Sequence, residues 1–439
     1  MEQLTPTKAE TWQAHPAAAP APLQLASDTY RSAGNGTRIC SGGWQFAFAG
    51  LEPGRHVAIC LDAEHEGIGS MREATLCTAV WGNVSADSPR IPGTPDRDLL
   101  IPRETSPSSI QFSRTVLVPE GVDQLTIRCT LRWVATGHVD WHTPQIEYVA
   151  GPERPSRNVS IAVVTGCHGQ RPKMNCVQDN VAYYSALCER VCAENDVDLI
   201  ALPEVALNWG VGDALDVALP APGPETDVFA DIAERHGARI VVGLYERDGD
   251  ACHNSLILIG PDRGIEARYR KVHLASGGES ESGLLPGDSF PVADTEIGRI
   301  GFNICMDSSA AESARMVGLN GADFLVLAIM GDHRADRLSP GSPIFNPARW
   351  LAIQRTRALD NQLCMVIARN NAIGSCIIDR RGDVLAWNEG DREWIAATVN
   401  PQDVCRYWTG EELRDVNWVQ RRPHLYAEYA KPSNYGSLR

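Results

Sequence analysis

The chain changes its hydrophobic rhythm about a third of the way along. From Arg38 to Val149, short runs alternate apolar and polar positions between turn-rich breaks: Trp44 to Ala49, His56 to Asp62, Thr75 to Trp81, Gln111 to Val118 and Gln124 to Val134. A period of two puts alternate side chains on one buried face, so these runs predict strands, with no amphipathic helix among them. Residues 26–150 are therefore expected to form an all-β sandwich. Residues 1–25, rich in Ala and Pro and without a sustained period, are expected to be a loosely ordered arm.

The stretch GPERPSR, residues 151–157, combines Gly, two prolines and charges and reads as a linker. Beyond it, from residue 158 to 439, the rhythm differs. Val159 to Val164 predicts a buried strand, and Val177, Val181, Tyr184, Cys188 and Val191 share one helical face. Val197 to Leu202 is a short apolar run. Ala230 to His236 reads as a helix stopped by Gly237, Arg239 to Tyr245 as a strand, and His253 to Ile259 with Ile265 to Tyr269 as a hairpin around PDRG. Helices mixed with strands, some in hairpins, predict a layered α/β domain with a mixed sheet.

Composition narrows the function classes. With 439 residues, 43% hydrophobic and 22% charged, the chain is long and apolar enough for more than one folded core. A formal charge of −15 opposes binding to nucleic acid or to anionic membrane, so neither partner is expected. Phe324 to Met330 and Leu363 to Ala368, the longest apolar stretches, are too short to span a bilayer, and no apolar core follows a basic start, so a cytoplasmic location is expected. The thirteen cysteines are odd in number and show no Cys-x-x-Cys pairs, which predicts reduced thiols rather than a disulfide framework. Neither they nor the histidines have zinc-ligand spacing, and no metal or cofactor is expected.

Three stretches concentrate reactive residue types. In RIGFNICMDSSAAES, Ile300, Phe302 and Ile304 alternate as on a strand that ends at Cys305, and Ser309 with Glu312 has the spacing of a capping box for a helix starting near Ala310. A thiol at such a strand-to-helix turn is expected to gain thiolate character from the helix N-terminus. In LPEVAL, Glu204 follows an apolar strand, where partial burial suits a carboxylate to general-base work. In YRKVHLASGGESESG, Lys271 follows a strand and Glu279 lies eight residues on, and a lysine so placed can hold an oxyanion. Each residue alone is more often a buried thiol, a loop acid or a surface lysine.

Taken together and in this order, the three stretches resemble the nitrilase, or carbon-nitrogen hydrolase, superfamily. In that family a Glu after a strand, a Lys in a Y-R-K-x-H-L-like segment and a Cys in a G-x-x-I-C-x-D-like elbow form the catalytic set, matched here by Glu204, Lys271 and Cys305, with Glu279 in place of the family's second glutamate. The resemblance extends to Gly301, Asp307, Glu312 and Arg315, to GADFLVLA, RTRALDNQ and GSCIIDRRGDVLA, and to RRPHLY at Arg421 to Tyr426, which is similar to the family's C-terminal tail. It implies a four-layer αββα hydrolase domain over 158–439, a homo-oligomer that is at least a dimer, a small amide substrate, and an oxyanion site completed by the backbone N–H of Met306. Met306 itself departs from the pattern, because nitrile-active members usually carry Trp there and many amidases Tyr; Ala311 and Asp360 depart as well. That argues for an amide or N-carbamoyl compound over a nitrile, with nitrile hydrolysis and acyl transfer left open.

His333 and Arg334, in the stretch Met330 to Pro343 after a strand, are candidates for recognising an anionic substrate, set against the plainer reading of a solvated loop. The first 150 residues resemble the galactose-binding-like jelly-roll modules fused to many enzymes. Trp44, Trp81, Trp133 and Trp141 are candidates for stacking on carbohydrate, against the plainer reading that they fill the sandwich. A rival from another class is a catalytically silent scaffold whose N-terminal module does the binding. The presence of all four active-site residue types weighs against it.

Overall fold

The structure is a computed structural model that describes residues 3–82, 97–151, 157–165, 171–330, 345–370, 373–407 and 410–427. Two units separate by their internal contacts, Met1–Pro155 with Cys405–Arg439 and, between them in sequence, Ser156–Val404.

In the first unit, alternation of apolar and polar side chains gives two sheets whose paired strands all run antiparallel among the described residues. One is centred on His56–Glu66, and the other runs in the order Lys8–Gln13, Ser41–Ala49, Gln124–Arg132, Thr75–Trp81, Arg97–Leu99. Phe46, Phe48, Ile127 and Leu131 from the second sheet meet Val57, Ile59, Leu61 and Phe112 from the first in one core. Trp44, Trp81 and Trp141 are buried in it, whereas Trp133 is exposed and its ring is covered by the guanidinium groups of Arg132 and Arg422.

Two expectations are corrected here. The N-terminal 25 residues are not a loose arm: they contain the strands Gln3–Leu4, Lys8–Gln13 and Ala21–Gln24. Lys8–Gln13 gains its ladder from Ser41–Ala49, and the Trp12 Nε1–H donates to the Cys129 carbonyl at 3.2 Å. The C-terminal stretch does not close the second domain as its tail; it groups with the sandwich. The helix Leu413–Val419 places Val416 and Val419 against Leu99. Arg114 pairs with Asp415 and, at 3.0 Å, with Glu412, while Arg406 bonds Asp98 at 3.1 Å. Arg114→Met removes a mostly buried cation from among three acids, which costs about 3 kcal/mol. Amide exchange in Leu413–Val419 is then expected to speed up by about 100-fold. Unchanged exchange, followed by mass spectrometry, would show that Val416 and Val419 hold the segment alone.

Among the described residues, the second unit contains two six-stranded sheets of the same plan. Each has three parallel strands, two antiparallel strands beyond them and one antiparallel strand on the opposite edge. The parallel strands are Val159–Val164, Leu199–Ala201 and Arg239–Asp248 in one sheet, and Gly298–Ile304, Phe324–Ile329 and Cys364–Arg369 in the other. Ile161, Leu199 and Val241 meet Ile300, Phe302 and Val326 between the sheets. On its outer face the first sheet is covered by Val177–Glu194 and Pro224–His236, through Tyr184, Leu187, Phe229 and Ile232. Ala311–Leu319 and Pro347–Asn361 cover the other sheet, through Ala314, Val317, Trp350 and Ala358. Burial on both faces explains why runs such as FLVLAI are apolar at every position rather than at alternate ones. No helix among the described residues is long and apolar enough to cross a membrane.

Candidate active site

Side chains from both sheets converge where parallel strands end. The strand Leu199–Ala201 delivers Glu204 through Leu202 and Pro203, and Val205 turns the chain with φ 43°. Gly243 on the neighbouring strand makes this turn possible: a Cβ there would lie 2.3 Å from the Pro203 carbonyl oxygen. Lys271 follows the strand Ile265–Arg270, and its N–H donates to the Asn254 carbonyl at 2.8 Å. Glu279 opens a short 3₁₀ turn, Glu279–Glu281. Cys305 follows Gly298–Ile304 directly and sits at φ 44°, a left-handed conformation costly for a residue with a Cβ and frequent at functional sites.

The four groups form one network. The Lys271 ammonium donates to Glu204 Oε1 at 2.8 Å and to Glu279 Oε2 at 2.6 Å. Glu204 Oε2 accepts from the Met330 N–H at 2.9 Å, and the Asn370 amide donates to the Glu204 carbonyl at 2.9 Å. Glu279 Oε2 also accepts from the Ala275 N–H at 2.9 Å. Lys271 and Glu204 are 1% and 2% exposed, so the charges persist only because each is paired. Burial alone would depress the Lys271 pKa, but Glu204, Cys305 and Glu279 outweigh it and keep the ammonium charged. Burial alone would raise the Glu279 pKa, yet the charge of Lys271 and the bonds from Lys271, Ala275 and Asn254 hold that carboxyl below the usual range.

Two expectations about Cys305 are corrected. Its thiol does not gain thiolate character from the turn: burial pushes its pKa well up, the Glu204 carboxylate adds to that, and Lys271 opposes them without prevailing. The half-buried thiol, hydrogen-bonded to the Glu204 carboxylate, is thereby favoured in its neutral form. Ser309 and Glu312 also do not build a capping box. A 3₁₀ turn, Cys305–Ser309, intervenes, and the helix Ala311–Leu319 starts from Ala310 without a side-chain cap. Asp307, wholly buried, organises the elbow instead. Its Oδ2 accepts from the Ile304 N–H at 2.8 Å and the Tyr269 hydroxyl at 2.6 Å, and its Oδ1 from the His273 N–H at 2.9 Å. Tyr269 and His273 flank Lys271 by two residues on each side, so one carboxylate fixes the lysine segment to the cysteine turn.

Met306, in the first turn after the elbow strand, is at a position where backbone N–H groups lack intrahelical acceptors. His333 and Arg334 lie outside the described residues. Sequence reasoning missed Asn254, whose Nδ2 donates to Glu204 Oε1 at 2.8 Å and Glu279 Oε1 at 2.6 Å. It also missed Tyr245, opposite Asn254 in the ladder, whose phenol is pushed up to about 12 by burial and then by Glu204 and Glu279. The one available signal was the polar triplet His253-Asn254-Ser255 leading into the apolar run LILI. Among the described residues, no cluster of His, Cys, Asp and Glu is arranged to hold a metal ion.

The arrangement supplies an acceptor for a thiol proton, a fixed cation and a nucleophile within one largely buried site. Comparison with known proteins gives it a family context. A family model described as carbon-nitrogen hydrolase matches residues 160–407. Omega-amidase NIT2-B of Xenopus laevis is 31% identical over 259 residues, covering 53% of this chain and 86% of its own length. A nitrilase of Pyrococcus abyssi is 33% identical over 248 residues, covering 53% and 88%. Among solved structures, the C. elegans NitFhit protein superposes with a TM-score of 0.50 at 21% identity, covering 62% of this chain and 66% of that one, a likeness of fold.

Proposed function

The chain belongs to the carbon-nitrogen hydrolase family, and from that premise we propose that it hydrolyses a small amide or N-carbamoyl compound through a thioester on Cys305. The observation that carries the reading is the meeting of Glu204, Lys271 and Glu279 with the Cys305 elbow. With burial and Glu204 favouring the neutral thiol, attack and deprotonation go together: Glu204 takes the proton as sulfur bonds to the amide carbon. The carbonyl oxygen becomes an oxyanion held by the Lys271 ammonium and the Met306 N–H. Glu204 returns its proton to the departing nitrogen, which leaves as ammonia or amine. Water, giving a proton to the same carboxylate, then adds to the thioester, and the thiol is regenerated as the acid leaves. Glu279 anchors Lys271 throughout.

The substrate class is tested by ammonia release from a panel of small amides, N-carbamoyl amines and matched nitriles. Amides or carbamoyl compounds are expected to have the higher kcat/KM, since Met306 replaces the tryptophan usual in nitrile-active relatives. A nitrile that outperforms its matching amide would overturn this assignment. The similarity to omega-amidases makes a substrate with a terminal carboxamide the first to try.

A further inference from the structure

We propose that Asn254 is a positioning residue whose two amide N–H groups keep Glu204 and Glu279 as separate carboxylates, leaving Glu204 alone to receive the Cys305 proton. This deepens the reading of Glu204 as the base and rests on it. Among the described residues the site holds two carboxylates and one ammonium, so one negative charge is in excess there. Two carboxylates in a dry site ordinarily meet that excess by sharing a proton, which would disable the base. Here the place for such a proton is taken. Asn254 Nδ2 lies between Glu204 Oε1 and Glu279 Oε1, at 2.8 and 2.6 Å, and an amide nitrogen donates two hydrogens and accepts none.

The cost of this arrangement is visible in the same side chain. Asn254 is 1% exposed, and its Oδ1 is buried with no hydrogen-bond partner among the described residues. An unsatisfied buried acceptor is unfavourable, and its acceptance here is explained by the two charge-assisted bonds on the nitrogen side. Reversing the amide would set Oδ1 against both carboxylates. Through its own carbonyl, Asn254 also accepts the Lys271 N–H at 2.8 Å, so one residue fixes the cation's backbone and both carboxylates. Among the described residues, the charged and titratable groups of the network around it are Glu204, Lys271, Glu279, Cys305 and Tyr245.

The test uses the full chain and a thiol probe that needs no substrate. Alkylation of Cys305 by iodoacetamide is followed across pH by peptide mass spectrometry in the wild type, Asn254→Leu and Asn254→Ser. Loss of both donors lets the carboxylate pair take up a proton at higher pH. The acid-side rise in Cys305 reactivity is then expected to move up by about one pH unit in Asn254→Leu, the size set by a lost hydrogen bond to a charged group. At the wild-type midpoint this reads as alkylation about fivefold slower, recovering at higher pH. Asn254→Ser, which retains one donor, is expected to shift less and decides the question alone if the leucine variant is unfolded. A rise that stays at the wild-type pH, or a rate lowered equally at every pH, would overturn the proposal. Amide turnover by the same wild-type preparation judges the proposed function separately, because the alkylation result stands without it.

Discussion

Cys305→Ala is expected to lower amide turnover by about 10⁴-fold or more while leaving the melting temperature nearly unchanged. The size follows from removing a nucleophile that works as a unit with its base, where loss of one member abolishes the covalent route. Stability is spared because the change removes one sulfur from a half-buried side chain, and because alanine at φ 44° is strained to the same degree as cysteine. The charged network survives: Lys271 remains bonded to Glu204 and Glu279, and Asp307 still ties Ile304 to His273. In the wild type, intact mass under turnover should show an acyl adduct that maps to the peptide carrying Cys305. Substantial residual turnover in the folded alanine variant, or an adduct on another cysteine, would defeat the mechanism.

Lys271→Met should be damaging in both respects. The side chains are similar in length, so packing is largely kept and the charge is what goes. The buried Glu204 and the partly buried Glu279 then face each other without the Lys271 cation, a destabilisation of about 3 kcal/mol. The pH dependence separates this cause from simple packing. The Glu279 carboxyl, held below its usual range in the native protein, contributes stability that is fully present above its unfolded pKa of about 4.3 and lost as pH falls through the lower folded value. Without Lys271 most of that contribution is absent at neutral pH. The gap between wild type and variant in urea unfolding should therefore be wide at pH 7 and narrower at about pH 3, below the unfolded value. An equal gap at both would assign the effect to packing of the lysine stem.

The sequence made local periodicity legible and left long-range polar pairing mostly hidden. Arg239–Asp248, Ala251–Ile259 and Phe324–Ile329 are strands whose side chains report their own burial. Glu204, Lys271, Glu279 and Cys305 stood out through motif order, and the structure brings them together. Asn254 did not, because its role exists only through partners 50 and 25 residues away, and a lone amide in a strand carries no local mark. Lys8–Gln13 was illegible for a related reason: its order comes from the edge it pairs with. The error about the Cys305 thiol has a different origin. Reading the turn alone weighs a helix terminus, whereas burial and the Glu204 carboxylate, supplied by the other sheet, are the larger effects.

The return of Leu413–Val419 to the sandwich has a consequence for the order in which the protein is made. Arg114 and Asp415 are 301 residues apart in sequence, and the whole of Ser156–Val404 is synthesised between the two parts of the first unit. At about 5–20 residues per second, the emerging sandwich waits roughly ten seconds to a minute before Leu413–Val419 leaves the ribosome. During that interval Arg114 lacks Asp415 and Glu412, and Leu99 lacks the cover of Val416 and Val419. A nascent chain arrested before Cys405 therefore presents an unfinished sandwich after the whole of Ser156–Val404 has been made, and Leu413–Val419 arrives as a late piece of a unit whose described strands all precede it by more than 250 residues.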